Sequence, residues 1–420
     1  MKKDNGFHVT KTPKVRIIDS IMGSGKSTYI IAEINKKPEQ RYIYIGKYLD
    51  ETQRIVDSCP QAHFMQPDEQ KFGSKQGDFH ALLREGNNIA ITHELFKRLE
   101  LSENERKIIQ RFDYKLILDE VPEVIEPLNV SDMDKQEILE RYVDVDTDGV
   151  VHWREKKYKG NHEGIKRQIL SKAVIYFKDM LFLWLLPIDL LRAFSEVDVL
   201  TFLFEGSHLN GYMQIYKMPY TMHHIHHGML MPGKQDLRKV MKGFMPLFDI
   251  YDGKLNNVGE SKTALSSTWW RTEKSSAKVV EKNAYNYLYN MCSAKAHDAM
   301  WTRFKGRKKG SSMYLNGKHY SKSFLPCNAC ATNEHRHRRY LAYLINVFEN
   351  PVILQWFEMH GVKLNEEEYA LSQLVQWIWR SAIREGKKIH LYIPSIRMRQ
   401  LLERFLMIEE SVEEEWCTAS

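Results

Sequence analysis

The chain has 420 residues, a length that suggests about two to three domains. Hydrophobic residues make up 43% and charged residues 27%, a globular composition that excludes wholesale disorder and permits a sizeable core. The formal charge of +7 is compatible with a polyanionic partner but too small to establish one.

Cysteines stand at 59, 292, 327, 330 and 417. So sparse and odd a set suggests no disulfide framework and favours a reducing compartment. The N-terminal stretch MKKDNGFHVTKTPK lacks the apolar core of a signal peptide. The longest apolar run, MLFLWLLPI at 180–188, is far shorter than the roughly 20 residues that span a bilayer. Asp179 and Asp189 flank it and suit a buried helix. The expectation is a soluble, cytoplasmic protein with no membrane partner.

Apolar runs alternate with helix-like stretches through the first 125 residues. VRIID (15–19), RYIYIG (41–46), NNIAIT (87–92) and YKLILDE (114–120) read as strands. The stretches after Lys26, at 48–59 and at 93–99 read as helices. Strands separated by helices require crossovers and a largely parallel sheet, whose ligands sit at the carboxyl ends of the strands. Residues 127–190 break this rhythm and read as an insertion with a hairpin around Asp148 and Gly149. The strand pattern resumes at VDVLTFLFEGS (197–207). A stretch with little periodicity, holding Pro219 and Pro232, marks a boundary. A second α/β unit follows, with strands near 323–329 and 389–395 and helices near 336–349 and 367–385. The expected domains are 1–230, with the 127–190 insertion, and 231–420.

The segment DSIMGSGKST (19–28) joins the first strand to the first helix. A glycine-bearing turn there aims backbone N–H groups at one point, and the helix N-terminus adds its positive dipole end. Gly23 and Gly25 let the chain turn tightly beside phosphates. Lys26 can reach the β and γ phosphates, the Ser27 hydroxyl can ligate Mg²⁺, and Thr28 extends the hydroxyl cluster, with Ser24 between the glycines counted in the nucleotide-binding loop. Ser20 stands where the usual pattern has its first glycine. The second element is acidic: the strand LIL delivers Asp119 and Glu120 to the sheet edge. Asp119 would hold Mg²⁺ with Ser27, and Glu120 would polarise an attacking water. Either motif alone could be a chance loop or a solvated strand end; both in order, each after an apolar strand, point to an ATP and Mg²⁺ site.

The pattern SIMGSGKS resembles the A-x-x-G-x-G-K-T loop of superfamily 2 DEAD/DEAH-like helicases, in which a small residue replaces the first glycine. Asp119-Glu120 is similar to their D-E-x-x motif, with Pro122 and Glu123 departing from it. YIYIGKYLDETQRI (42–55) and NIAITHELF (88–96) resemble their backbone-contacting segments. The resemblance implies nucleic-acid contacts at Lys47, Tyr48, Thr92 and His93. LTFLFEGS (200–207) occupies the place of the coupling motif, with Ser207 a weak stand-in. QLVQWIWRSAIREG (373–386) resembles the last helicase motif. Gln376, Arg380 and Arg384 are spaced four apart, as on one helical face, and the resemblance implies that a guanidinium stabilises the transition state. Gly386 is a candidate helix stop. Ala331-Thr332 echoes the fifth motif. The layout also resembles helicase-like replication proteins of tailed phages. The implied fold is α/β, two RecA-like P-loop NTPase-type domains with parallel sheets.

Lesser signals remain. His223, His224, His226 and His227 could bind a metal or be an exposed hinge. Cys327 and Cys330 with His335 and His337 have zinc-ligand chemistry, with buried thiols the alternative. Basic runs at 303–310 and 334–339, with Trp269, Trp270, Tyr314 and Tyr320, suit a strand-contacting surface. The WFEMHG and QWIWR segments read as core. The expected function is an ATP-dependent helicase or translocase acting on nucleic acid, DNA foremost, in phage-type replication or recombination, alongside other replication proteins. The alternatives are a terminase-type packaging ATPase and a non-catalytic nucleotide switch.

Overall fold

The computed structural model describes residues 12–155, 157–170, 173–304, 319–327 and 333–406. Cys330, Ala331, Thr332, Tyr314 and most of the basic run at 303–310 lie outside them. The chain forms two compact units. One contains residues 12–20, Ser24–Gln235 and Asn350–Leu364; the other contains Ile21–Gly23, Asp236–Glu349 and residues 365–406.

The first unit holds β1 (Lys14–Asp19), β2 (Tyr42–Gly46), β3 (Ile89–Thr92) and β4 (Lys115–Asp119), as the apolar runs predict. Between β4 and the next strand of this sheet, the chain makes β5 (Ile125–Pro127), the hairpin β6 (Val143–Val145) and β7 (Val151–Trp153), then β8 (Val174–Phe177) and β9 (Leu181–Leu185). β10 (Glu196–Thr201), β11 (Tyr220–His226) and β12 (Met229–Pro232) complete the main sheet. Its order is β12-β11-β1-β10-β4-β2-β3, parallel except for the β11–β12 pair. β10 therefore lies between the strand that feeds the glycine loop and the strand that ends in the acidic pair.

Side-chain alternation explains why this sheet is buried on both faces. Ile17, Ile43, Ile45, Leu116, Leu118, Val197 and Val199 pack into one core. Ile18, Tyr42, Tyr44, Ile117 and Leu200 pack into another with Ile30 and Ile34 of the helix Lys26–Lys36. A strand covered on both sides needs apolar residues at every position, hence the continuous runs.

Several elements differ from the sequence reading. Residues 180–188 contain β9, paired antiparallel with β5 and β8, rather than a helix. Lys178 and Asp179, with φ of 49° and 52°, make the hairpin turn. The stretch with the histidines is an edge hairpin of the main sheet, not a hinge. Strand alternation sends His223 and His224 to opposite faces, so the four imidazoles do not form one ligand set.

The second unit builds a four-stranded parallel sheet, β13 (Phe248–Ile250), β14 (Ala299–Thr302), β15 (Tyr340–Tyr343) and β16 (Ile389–Tyr392), in the order β13-β16-β15-β14. Here lies the third difference: residues 336–349 hold β15, not a helix. β15 sits between two strands, so Leu341, Ala342 and Tyr343 are all fully buried. Near 323–329 the described residues show an isolated bridge, Phe324 to Trp301, rather than a strand. The helix Pro351–Met359 buries Trp356 and Phe357 in the first unit's core. Gly211 admits it closely, since a Cβ there would lie 2.6 Å from Leu364 Cδ2 and 2.8 Å from Phe357 Cε1. Among the described residues, no helix is long and apolar enough to cross a membrane.

Candidate nucleotide site

The loop after β1 turns through two left-handed glycines, Gly23 at φ 81° and Gly25 at φ 93°. A side chain at Gly25 would meet open space, so backbone conformation and not crowding requires glycine there. Gly25 caps the helix Lys26–Lys36, whose first N–H groups have no intrahelical acceptors and face the loop. Ser20, buried at the loop's start, accepts a hydrogen bond from the Ile225 N–H at 2.8 Å. Its carbonyl takes the Lys26 ammonium. The Ser24 hydroxyl is buried without a partner. Thr28 points outward and is exposed.

Ser27 Oγ donates to Asp119 Oδ2 at 3.2 Å. The Tyr44 hydroxyl donates to the same oxygen. β2 pairs with β4, and Tyr44 and Asp119 share a face of the sheet, which brings phenol to carboxylate. Burial pushes the Asp119 carboxyl above the ordinary range, while the Tyr44 and Ser27 hydrogen bonds and the Lys26 charge oppose that rise. A buried carboxylate beside a serine hydroxyl is a hard-oxygen donor set that suits Mg²⁺, and a bound cation would favour the ionised form. The unpartnered Ser24 hydroxyl and the glycine turn suit phosphate oxygens. ATP and Mg²⁺ thus fit the residues present.

Glu120 follows in the left-handed region, φ 68°, an unfavourable conformation for a residue with a Cβ. Its N–H bonds the Leu200 carbonyl at 3.0 Å, tying it to β10. Its carboxylate pairs with Lys47 Nζ at 2.6 Å. Lys47 lies just past β2, with its ammonium 5.8 Å from the Tyr48 ring centroid. His93 Nε2 lies 3.1 Å from the Asp119 carbonyl oxygen, and burial lowers its pKa to about 4, so the ring is neutral. Thr92 caps the short helix His93–Phe96 by accepting the Leu95 N–H. Lys47 and His93 are therefore gathered around the acidic pair.

Sequence reasoning missed several residues here. Tyr44 steadies Asp119. Glu51 accepts the N–H groups of Lys47 at 2.8 Å and Tyr48 at 3.2 Å. Asp19 accepts those of Leu203 at 2.9 Å and Phe204 at 3.0 Å, fixing the turn after β10. His208 reaches Glu123 at 3.6 Å. Ser207, which the sequence placed at the coupling motif, caps the helix His208–Ile215. No sequence signal marks Tyr44, whose partner depends on the register of β2 beside β4. Two cues were visible: the Asp19 carboxylate at a strand end beside a glycine loop, and Glu51 at the third position of the helix Leu49–Ser58, where a glutamate reaches back to the N–H groups just before it.

In the second unit, Gln376, Arg380 and Arg384 do not share a helical face. The helix Glu366–Ile378 ends before Arg380, and Arg384 lies in a separate turn, Ala382–Glu385. Ser381 opens that turn by accepting the Ile383 N–H, and Gly386 closes it at φ 69°. Gln376 donates to Ser372 Oγ at 3.0 Å. Arg380 is 8% exposed and Arg384 is exposed. Trp377 and Trp379 are core, as their setting predicts.

Residues 242–406 match the family described as the YonV C-terminal Rossmann-like domain, and residues 125–184 match the YonV middle domain. The chain is 36% identical over 413 residues to the SPbeta prophage-derived uncharacterized protein YonV of Bacillus subtilis (strain 168), covering 94% of this chain and 98% of that protein. Among solved structures, an XPD helicase aligns with a TM-score of 0.48 at 11% identity, over 93% of this chain and 94% of that one.

Proposed function

The chain belongs to the YonV family, and on that premise and the geometry of the loop we propose that it is an ATP-hydrolysing motor, a helicase or translocase acting on nucleic acid, DNA foremost. The observation that supports this reading most directly is the Ser27–Asp119 contact of 3.2 Å, made by residues 92 positions apart in the chain. It brings the helix that follows the glycine loop to the acidic strand end.

The loop and helix N-terminus bind the phosphates, with Lys26 leaving the Ser20 carbonyl for the β and γ oxygens. Ser27 and Asp119 would hold Mg²⁺, which when bound neutralises phosphate charge. Tyr44 keeps the Asp119 carboxylate oriented. Glu120 polarises the attacking water, and its backbone link to β10 fixes where that carboxylate sits. The resemblance of 373–386 to the last helicase motif makes Arg384, exposed on its turn, the guanidinium we propose for the developing charge. The prophage origin of the Bacillus relative supports a phage setting, and phage-type replication or recombination is the process we propose.

An ATPase assay with and without single-stranded DNA tests this. Wild-type protein should turn over ATP, with strand stimulation, and Lys26→Ala and Glu120→Gln should lose about 10²-fold or more. Nucleotide binding without turnover would favour a switch instead. Strand displacement on a tailed duplex separates unwinding from translocation.

A further inference from the structure

The geometry points to Lys47 as a latch: its ammonium holds the Glu120 carboxylate until the phosphodiester of a nucleic-acid strand takes the ammonium over. The inference rests on the motor reading above and adds a route by which the strand governs hydrolysis.

β2 and β4 are neighbours in register, Ile45 opposite Leu118, so the residues just past each strand meet at the same sheet edge. There Lys47 Nζ and Glu120 Oε2 lie 2.6 Å apart. Neither backbone is free to drift. Glu51 accepts the Lys47 N–H, and Glu120 is held in its left-handed conformation by its bond to Leu200. A carboxylate engaged by an ammonium at that distance is a poor acceptor for the proton of a water, so the pair suppresses the role proposed for Glu120.

The pair is also exchangeable. The side chains are 32% and 33% exposed, so an external anion can reach the lysine, and part-exposed ion pairs are weak. The ring of Tyr48 beside the ammonium favours a strand as that anion. A cation for the phosphate next to an aromatic face for the base is the pairing that single strands use.

If Glu120 competes with phosphate for Lys47, the linkage is reciprocal and shows in binding alone. Fluorescence anisotropy of a labelled oligothymidylate, without nucleotide, should show Glu120→Gln binding about threefold to tenfold more tightly than wild type. Lys47→Ala should bind more weakly, with a salt slope smaller by about one. The double variant should match Lys47→Ala, and Lys47→Arg in place of Lys47→Ala should restore the gain. In the ATPase assay, Lys47→Ala should raise strand-free turnover and flatten stimulation. Unchanged affinity of Glu120→Gln overturns the latch, as does a double variant that keeps the gain. So does a gain seen with inorganic triphosphate but not with the oligonucleotide. Wild-type protein that binds the strand yet hydrolyses no more ATP than Lys26→Ala sinks the motor reading instead, and the affinity comparison still decides the latch.

Discussion

Asp198 lies directly opposite Arg16 in the register of β1 and β10, and its two oxygens take the Nε and Nη2 of that guanidinium, each at 2.7 Å. Lys115 on β4 adds a third contact at 2.8 Å. Asp198 is fully buried, so three charges from three adjacent strands meet inside the layer that aligns the loop strand with the acidic strand. Breaking a buried pair strands the remaining charges. Asp198→Ala should therefore destabilise the first unit by about 3–5 kcal/mol, measured by urea denaturation. Asp198→Asn, which keeps an acceptor, should cost less. Equal stability of wild type and Asp198→Ala would contradict the role assigned to this cluster.

Ser20 explains its own departure from the glycine pattern. β1 pairs with β11 only as far as Ile18 and His223. Beyond that, the Ile225 N–H is buried and takes the Ser20 hydroxyl as its acceptor. A glycine could not supply it. Ser20→Gly and Ser20→Ala should each cost about 1–3 kcal/mol by leaving that donor unsatisfied. Both should raise the KM for ATP, because the loop loses its tie to β11. A melting temperature and KM unchanged in both variants would refute this.

The legible parts of the molecule were those written locally. β1 to β4 appear as apolar runs because each is covered on both faces, and the glycine loop is contiguous in sequence. The same rule misled at 180–188 and 336–349. A strand buried on both faces loses its period of two, and a short apolar run then looks like a buried helix. The spacing of Gln376, Arg380 and Arg384 suggested one helix, but spacing alone does not reveal a turn at Trp379–Ser381. Tyr44 and Asp198 owe their partners to strand register, which no single strand records. The docking of Pro351–Met359 beside Gly211 depends on tertiary packing in the same way.

Glu51 supplies a pH test. Burial first, then the Asp119 and Glu120 charges, raise its pKa from the ordinary 4.5 to about 7. The folded protein therefore holds a proton there that the unfolded chain releases above pH 4.5. The contribution is fully present below pH 4.5 and is lost as pH rises through 7. Between those values, wild-type stability should decline relative to Glu51→Gln, which still accepts hydrogen bonds but cannot ionise. Thermal melts of both proteins across this window should diverge with increasing pH; parallel curves would show that Glu51 titrates normally.

Arg380 and Arg384 should fail in different ways. Arg380 is buried, with Nη1 3.5 Å from the Cys327 carbonyl oxygen, on the chain that turns from helix to Ala382–Glu385. Removing it leaves space and unsatisfied groups inside the second unit. Arg380→Ala should therefore lower the melting temperature by several degrees, for about 1–3 kcal/mol lost. Arg384 is exposed at the surface of its turn, so Arg384→Ala should leave the melt within about a degree of wild type. If Arg384 is the guanidinium that meets the developing phosphate charge, the same change should lower kcat about 10²-fold with little effect on the KM for ATP. Arg384→Lys should recover only part of the loss, since an ammonium lacks the planar fork. A large kcat loss in Arg380→Ala at a temperature where it stays folded, beside normal turnover in Arg384→Ala, would transfer the catalytic role to the buried arginine.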